Sequence, residues 1–223
     1  MVRFIAVLAF AVLTLQLSAC ASAPLVPDVL PEDVPNEETG FIAGSFSREY
    51  NAVHYYSNNF YFRSTASEET YLLKSNPPAG GDLFSGYRDD FTSYDYKGAV
   101  FLIPLPVGEY EFYNFFLNGG ANHFSSREDY AIPFEVLPNA ITYLGEVKLV
   151  PQRARNTFGI LIPWGGIWVI SDKQERDMQL LLEKFPELDV DAFVKRIPDE
   201  ERVEAPLVFL PSEDYTPAEE PEE

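Results

Sequence analysis

Few residues in this chain of 223 could carry chemistry at a catalytic or metal site. There is one cysteine, Cys20, and there are two histidines, His54 and His123. A zinc site generally takes His or Cys ligands at short spacing, and no such set exists here. The sequence motifs of zinc proteases, serine hydrolases, P-loops and EF-hands are absent as well. The composition therefore predicts neither a metal site nor a cofactor.

The two histidines differ in their surroundings. His123 lies in a polar stretch with Ser125, Ser126, Glu128 and Asp129, and these residue types could form a hydrolytic site. Such a site would belong to an envelope hydrolase acting on glycans or peptides. A loop histidine without a catalytic role is the simpler interpretation, and the aromatic neighbours of the other histidine suggest a strand edge. We expect the protein not to be an enzyme.

A second polar segment, "GYRDDFTSYDYKG", combines carboxylates with tyrosines. Loop carboxylates can hold calcium through their oxygen atoms, and exposed tyrosines beside carboxylates can bind a glycan or a peptide. An ordinary solvated loop is the simplest alternative. The possible contact residues for a ligand or partner are Tyr87, Asp89, Asp90, Tyr94, Asp95 and Tyr96.

The lone cysteine follows an apolar N-terminus, "MVRFIAVLAFAVLTLQLSAC". Arg3 precedes a run from Phe4 to Leu15 that is apolar except for Thr14. A membrane-spanning helix needs about 20 apolar residues, whereas a short positive region before a shorter apolar run is typical of a secretory signal peptide. The segment 1–19 is therefore predicted to be a signal peptide.

Residues 17–20, "LSAC", are the last three residues of this segment and the cysteine that follows it. They resemble a bacterial lipobox. The resemblance implies cleavage before Cys20, a diacylglycerol on its thiol and a further acyl chain on its amine. Two or more acyl chains hold a protein stably on a membrane. Because Ala21, and not aspartate, follows the cysteine, the resemblance implies the outer membrane, with the domain facing the periplasm. An ordinary signal peptide cut after Ala21 or Ala23 is the alternative.

The net charge of −19 is concentrated at the two ends of the chain. Residues 21–39 contain five acids and no base, and residues 199–223 contain ten acids and one base. Both regions are rich in proline, and proline with like charges favours extended chain. We expect a tether before the domain and a mostly disordered tail after it, in which the apolar stretch 207–210 docks on the domain. The core has no basic patch, which argues against nucleic-acid binding.

The core is rich in tyrosine and phenylalanine, which favour strands. In "NFYFRST", Phe60 and Phe62 are predicted to share one face, with Tyr61 and Arg63 opposite. Further strands are expected near 40–46, 70–74, 99–103, 157–162 and 167–171, with turns at "NPPAGG", "LPVG", "NGGAN", "LPNA" and "PWGG". Alternation also predicts shared faces for Tyr110, Phe112 and Phe116; for Ile132, Phe134 and Val136; and for Ile141, Tyr143, Val147 and Leu149. Many short strands with regular turns predict an antiparallel β-sandwich.

One helix is predicted after the strands. A helical stripe is formed by Met178, Leu181, Leu182 and Phe185. Ser171 and Gln174 have the spacing of a capping box, and Pro186 is expected to end the helix. A shorter helix is expected at 189–196. The long helix is predicted to pack on the sandwich.

Two stretches carry a family resemblance. "FLIPLPVGEYEFYNF" and "FEVLPNAITYLGEVKL" resemble strands of carboxypeptidase-regulatory-like, or prealbumin-like, modules in bacterial lipoproteins. The resemblance implies an immunoglobulin-like or prealbumin-like sandwich followed by a helix, in a structural or binding unit without catalytic residues. The long stretches 75–98 and 117–128 depart from this pattern.

One further segment, 158–170, contains thirteen residues without a charge. Pro163, Gly165 and Gly166 interrupt it, so it is not a membrane span. It is predicted to be either a buried hairpin or an exposed hairpin, tipped by Trp164, that meets a partner or a lipid surface.

Together these features predict five regions: signal peptide 1–19, tether 20–39, β-sandwich 40–171, C-terminal helical segment 172–198 and acidic tail 199–223. The predicted function is a non-enzymatic binding or scaffolding role for a protein anchored to the membrane through Cys20, with an envelope protein as partner. A carbohydrate-binding module or an envelope hydrolase is the alternative.

Overall fold

The computed structural model describes residues 35–49, 55, 57–75, 89–94, 96–120, 122–198 and 208–209. Within these residues the chain is mainly β, with two sheets and one α-helix. The predicted signal peptide and Cys20 lie outside the described residues, as do His54, Tyr87, Asp95 and most of the predicted tether and tail.

Sheet A is the larger sheet. Its strands are β1 (Thr39–Glu49), β4 (Phe91–Thr92), β5 (Tyr96–Pro106), β9 (Ile141–Arg155), β10 (Leu161–Ser171), β11 (Phe193–Lys195) and β12 (Val208–Phe209). Their order is β12-β10-β9-β1-β5-β4, and β11 also pairs with β9. The long strand β1 is antiparallel to β5 and parallel to β9. The docking predicted for the apolar stretch in the C-terminal region is confirmed, because β12 pairs with β10.

Sheet B contains five antiparallel strands. They are β2 (Ser57–Ser64), β3 (Thr70–Ser75), β6 (Gly108–Asn118), β7 (His123–Ser125) and β8 (Ile132–Val136). Their order is β3-β2-β6-β7, and β8 pairs with the first half of β6. The alternation predicted for β2 and β8 is confirmed, because Phe60, Phe62, Ile132, Phe134 and Val136 are all buried.

One hydrophobic cluster draws side chains from both sheets. At its centre Trp168 of β10 is fully buried. Its ring lies 5.2 Å from the ring of Phe46 in sheet A, 5.2 Å from Phe60 and 6.1 Å from Phe115 in sheet B. Aromatic side chains bury large apolar areas, so this contact set joins the two sheets.

The chain passes from sheet A to sheet B at a tight corner. β5 ends at Pro106 and β6 begins at Gly108, so Val107 alone separates them. The ring of Tyr110 is buried, as predicted, and its hydroxyl donates a 2.9 Å hydrogen bond to the carbonyl oxygen of Pro106. This hydrogen bond fixes the corner through a side chain of β6, the strand that begins there.

Helix α1 (Gln174–Lys184) packs against β1 and β5 through a second hydrophobic cluster, which confirms the predicted docking on the strands. Its buried face differs from the predicted stripe. Leu181 is fully buried, with Leu180 and Phe185 beside the cluster, but the next buried position is Asp177 and not Met178. Compared with the predicted stripe, the helix is therefore rotated about its axis so that Asp177, and not Met178, is buried against the strands.

The predicted ends of the helical segment are partly wrong. Ser171 is still in β10, and its hydroxyl bonds to Glu146, so it does not form a capping box. The helix does end just before Pro186. The predicted helix at 189–196 is also wrong, because 190–192 is a single 3₁₀ turn and β11 follows it.

Two β-bulges overturn the predicted strand faces. In β9, Tyr143 pairs with Ala43 and Glu146 with Ser45, so one extra residue lies in β9, and Gly145 has a φ of 95°. Ile141 and Tyr143 therefore belong to the cluster under α1, whereas Val147 and Leu149 belong to the cluster between the sheets. In β6, Tyr113 is the extra residue opposite β2, so Phe115 is buried and Phe116 turns to the other face. A bulge inverts the alternation beyond it.

The predicted strand at 157–162 and the predicted turn at "PWGG" are wrong. β9 continues to Arg155 and the turn lies at 156–160, while "PWGG" lies inside β10, at a register shift between Pro163 and Gly166. The side-chain oxygen of Asn156 accepts hydrogen bonds from the N–H groups of Phe158 (2.9 Å) and Ile160 (3.0 Å). An asparagine commonly stabilises a turn in this way.

Candidate binding surfaces

The tip of the β9–β10 hairpin, residues 156–164, exposes a concentration of large apolar side chains. Four of the seven exposed large apolar side chains in the described residues lie there, and the other three are scattered. The exposed fractions are 85% for Phe158, 59% for Ile160, 44% for Leu161 and 57% for Trp164. The interpretation of 158–170 as a wholly buried hairpin is therefore wrong, since the core takes only its second half. Exposed apolar patches of this kind mark contact surfaces.

The hairpin reaches well past its neighbouring strand. Leu149 is the last residue of β9 that pairs with β1, so the six residues 150–155 extend beyond it with β10. Six residues of strand span about 20 Å. Because β1 begins beside Ile141 and runs parallel to β9, the tip and the start of the domain lie at opposite ends of sheet A.

The base of the tip is clamped to the rest of the domain by Tyr55, whose ring is 2% exposed. The Tyr55 hydroxyl donates to the carbonyl oxygen of Gly165 (2.5 Å) and accepts from its N–H (2.8 Å). Burial raises the pKa of Tyr55 to about 12, so the hydroxyl remains a donor at neutral pH. Phe124 of β7 packs its ring against both Tyr55 and Trp164. The tip is held in a defined position by these contacts.

A close packing contact fixes the same region. A Cβ atom added to Gly166 would lie 2.7 Å from Cδ1 of Leu149 and 3.3 Å from Cδ1 of Leu117. The β10 backbone therefore approaches the core at the point where the hairpin leaves it. Neither Tyr55 nor Leu117 belongs to a sequence motif. Their contacts, which hold the hairpin near Trp164 in place, could therefore not be predicted from the sequence.

The hairpin is basic in an acidic protein. Residues 147–171 contain Lys148, Arg153 and Arg155 and no acidic residue, while the whole chain has a net charge of −19. Arg153 forms a 3.9 Å ion pair with Glu49, and Arg155 donates a 3.0 Å hydrogen bond to the carbonyl oxygen of Gly159 in the turn. A positive stalk thus carries the apolar tip.

Two of the six predicted contact residues before and within β5, Asp89 and Asp90, are engaged in ion pairs. Asp89 pairs with Arg48 at 3.0 Å and with Lys97 at 3.5 Å. Asp90 pairs with Lys184 of α1 at 2.6 Å and accepts from the N–H of Val100. These contacts fasten the loop to β1, β5 and the helix.

Two tyrosines of the same loop are described and they differ. Tyr94 is 89% exposed, whereas the ring of Tyr96 is covered by the ammonium group of Lys148 at 5.0 Å. Of these two rings, Tyr94 is therefore the more exposed. Within the described part of the chain, no group of three or more His, Cys, Asp or Glu side chains is arranged to hold a metal ion.

The outer face of sheet B combines aromatic and polar side chains. Tyr61 and Tyr113 lie 6.2 Å apart, and the guanidinium group of Arg63 covers the Tyr113 ring at 4.5 Å. His123 is exposed and stacks on Phe116 at 5.6 Å. Carboxylate and amide side chains around them are joined by hydrogen bonds, such as the one from Asn114 to Asp129.

The predicted hydrolytic group around His123 is not assembled in the described residues. Asp129 bonds to Arg63 (3.0 Å) and Asn114 (3.1 Å), and the hydroxyl of Ser126 donates to the backbone oxygen of Glu128. His123 forms no hydrogen bond or ion pair with these groups in the described chain. Among the described residues, the contacts that would activate a hydroxyl or orient a histidine base are therefore not made around His123.

A buried charged cluster, which sequence reasoning missed, joins α1 to sheet A. Asp177 is fully buried and accepts from Ser45 (2.8 Å), Tyr143 (2.8 Å) and the adjacent Arg176 (2.7 Å). Arg176 also pairs with Glu146 at 3.1 Å and lies 3.9 Å from the Phe91 ring centre. An acidic residue on a helix is normally expected to be exposed, so no sequence pattern predicts the burial of Asp177.

The electrostatics of this cluster reflect burial. Burial raises the pKa of Asp177, and this effect exceeds the opposing effects of Arg176, Ser45 and Tyr143. Burial lowers the pKa of Arg176, but Glu146 and Asp177 more than compensate and the pKa is raised. Burial, with the charge of Asp177, also raises the pKa of Tyr143. All hydrogen-bonding partners are internal, so the cluster serves as a structural anchor.

No family model, no curated protein and no solved structure matches this chain. Among the described residues, no helix is long and apolar enough to cross a membrane.

Proposed function

We propose that this protein is a lipid-anchored protein of the bacterial cell envelope with a non-enzymatic binding or scaffolding role, and that the hairpin tip is its contact surface. The observation that carries the proposal is the exposed apolar tip, which Tyr55 and Phe124 hold in place. A contact surface that is already ordered loses less conformational entropy on binding. An exposed Trp164 with no role in the core is best explained by such a contact.

The anchor is supported by the sequence alone. The lipobox-like "LSAC" ends a short apolar segment, and the only cysteine of the chain stands at the position that would carry the lipid. The proposed location is the outer membrane, with the domain in the periplasm and an envelope protein as partner.

For the fold, we propose an immunoglobulin-like or prealbumin-like β-sandwich. The corner at Pro106 and Tyr110 supports it, since a tyrosine that bonds back to the backbone where the chain changes sheets is characteristic of immunoglobulin-like sandwiches. The cluster shared by the two sheets agrees with face-to-face packing.

In-cell crosslinking followed by purification tests this function. Wild type, Cys20→Ala and Trp164→Asp are compared, with Val190→Asp as a matched control, because Val190 is exposed and precedes β11, which pairs with the start of β9 at the end of sheet A away from the tip. We expect specific envelope components with wild type and the control, and their loss with the other two variants. Equal recovery from all four chains would contradict the proposal, and so would a Trp164→Asp chain that fails to fold, since that outcome places Trp164 in the core.

Carbohydrate binding is a second candidate, favoured by the outer face of sheet B. Tyr61, Tyr113 and Phe116 share this face with hydrogen-bonding groups of Arg63 and Asn114, and sugars are bound by such combinations of rings and planar polar groups. Titration of the folded chain with a glycan array and with peptidoglycan fragments tests this. Binding that Tyr113→Ala abolishes would support it, and no binding at millimolar sugar would exclude it.

A further inference from the structure

We propose that the hairpin tip inserts into the interfacial region of an anionic phospholipid bilayer and gives the domain a second membrane contact. This inference rests on the proposed function, because it takes the same hairpin tip as the contact surface. It names a lipid surface as what the tip meets, and the envelope protein partner then binds the domain while the domain lies on that surface.

The first argument is the chemistry of the exposed side chains. Phe158 and Ile160 offer apolar groups at the turn, and Trp164 offers a ring with one N–H donor just behind them. Tryptophan favours the boundary between lipid and water, where its ring is apolar and its N–H remains near polar groups. From the turn toward the core, the hairpin presents Phe158 and Ile160, then Arg155 opposite Leu161, and then Trp164 beyond the pair of Pro163 and Arg153.

The second argument is that the backbone of the turn is largely satisfied from within. The N–H groups of Asn156, Phe158, Gly159 and Ile160 all have acceptors inside the turn. The carbonyl oxygens of Asn156, Gly159 and Ile160 all have donors there too. An unsatisfied backbone group is costly to remove from water into lipid. A turn that keeps its hydrogen bonds internal lowers that cost.

The third argument is charge. The hairpin has no acid of its own between residues 147 and 171, Arg155 flanks the turn, and Arg153 behind it pairs with Glu49 at 3.9 Å. Cations near an anionic lipid surface attract it by about 1 kcal/mol each, which converts to a factor of about five in binding. Arg155 is held against the turn by its bond to Gly159. Its guanidinium group therefore accompanies the tip to the depth of the headgroups.

The fourth argument is reach. The tip lies at the opposite end of sheet A from Thr39, at the length of β9, which is about 50 Å for its fifteen residues. Residues 20–38 span at most about 68 Å when fully extended. The tether is therefore long enough for the tip to touch the same bilayer that holds Cys20. Two attachments at opposite ends place the long axis of the domain along the membrane surface.

Tryptophan fluorescence provides a local test. The chain has two tryptophans, and Trp168 is fully buried, so an emission change on adding vesicles reports Trp164. Full-length protein is mixed with vesicles of phosphatidylethanolamine and phosphatidylglycerol, or of phosphatidylcholine alone, each with and without brominated acyl chains. We expect a blue shift and quenching by bromine with the anionic vesicles, and a weaker effect with the neutral ones; high salt should reduce the effect of the anionic vesicles toward that of the neutral ones.

Matched variants locate the contact. For Phe158→Ser, we expect half-maximal quenching to require at least a tenfold higher lipid concentration. The reason is that one large apolar side chain is lost from the contact. Val190→Ser, which removes an exposed apolar side chain near the opposite end of sheet A, should leave vesicle-induced quenching unchanged. Arg155→Gln is expected to weaken it about fivefold on anionic vesicles only, and Trp164→Phe should bind with no quenching signal.

The outcomes separate this inference from the proposed function. A chain that sediments with vesicles while Trp164 stays water-exposed and unquenched overturns the inference and leaves the anchored binding protein intact. A photocrosslinker at position 158 that captures one specific envelope protein, and no lipid, has the same meaning. Vesicle-induced quenching that persists in Cys20→Ala supports the inference independently of the anchor, and release of this variant from the cell membrane fraction supports the anchor.

Discussion

Replacement of Arg176 by methionine tests whether the cluster under α1 is a compensated buried charge network. The guanidinium group contacts Glu146 and Asp177, whose side chains are 3% and 0% exposed. Without it, two buried carboxylates lose their cation. Breaking a buried ion pair in this way typically costs about 3–5 kcal/mol. Because the Arg176 side chain is 25% exposed, solvent reduces the effect, and we expect a loss of about 2–4 kcal/mol at neutral pH.

The loss should depend on pH with a defined sign. Burial already holds the pKa of Asp177 above its ordinary value, and loss of Arg176 raises it further. A carboxyl group with a raised folded pKa contributes stability that is fully present below its unfolded pKa, about 4, and is lost as the pH rises through the folded pKa. The difference in stability between Arg176→Met and wild type should therefore shrink as the pH is lowered from about 8 toward 4.

Urea unfolding followed by Trp168 fluorescence measures this difference, with the slope of free energy against urea as a check on the unfolded state. Lys184→Met is the control. The Lys184 side chain is 41% exposed, so its ion pair with Asp90 should contribute less than about 1 kcal/mol to stability. A loss for Arg176→Met that is equally small, or one that is the same at every pH, would refute the reasoning.

Two further substitutions test the core and the clamp. Leu181→Ala should reduce the free energy of unfolding by about 2–5 kcal/mol because this side chain is fully buried, whereas Met178→Ala should reduce it by much less; similar losses would mean that the helix presents the face expected from the sequence. Tyr55→Phe removes both hydrogen bonds to Gly165 and should cost about 1–3 kcal/mol, with faster amide exchange at Gly165; unchanged exchange would show that the hairpin does not depend on this clamp.

Period-two alternation predicted most of the strands because one side of each strand packs into the core. It identified Phe60, Phe62 and Phe134 as buried, and the structure confirms them. It failed beyond Gly145 and Tyr113, where bulges invert the alternation. Nothing local distinguishes a glycine at a bulge from a glycine in an ordinary strand, because the bulge depends on the register of the neighbouring strand.

The candidate surface was partly visible in the sequence. The charge-free run singled out Trp164, but its division into an exposed tip and a buried base depends on the distance that β9 extends past β1. "PWGG" has the composition of a turn, yet the two hydrogen bonds of Tyr55 hold Gly165 inside a strand. The rotated face of α1 was hidden for a similar reason, since only tertiary partners make a buried Asp177 favourable.

The parallel pairing of β1 and β9 gives the domain a definite mechanical polarity. Tension between a tether at Thr39 and a contact at the hairpin tip pulls these neighbouring strands past each other in opposite directions, along their length. Their hydrogen bonds, and the eleven residue pairs between β1 and β5, lie across that direction and are loaded together. Strands loaded in this geometry resist by shear and do not peel apart one bond at a time, so the two proposed attachment points would suit a module that bears force.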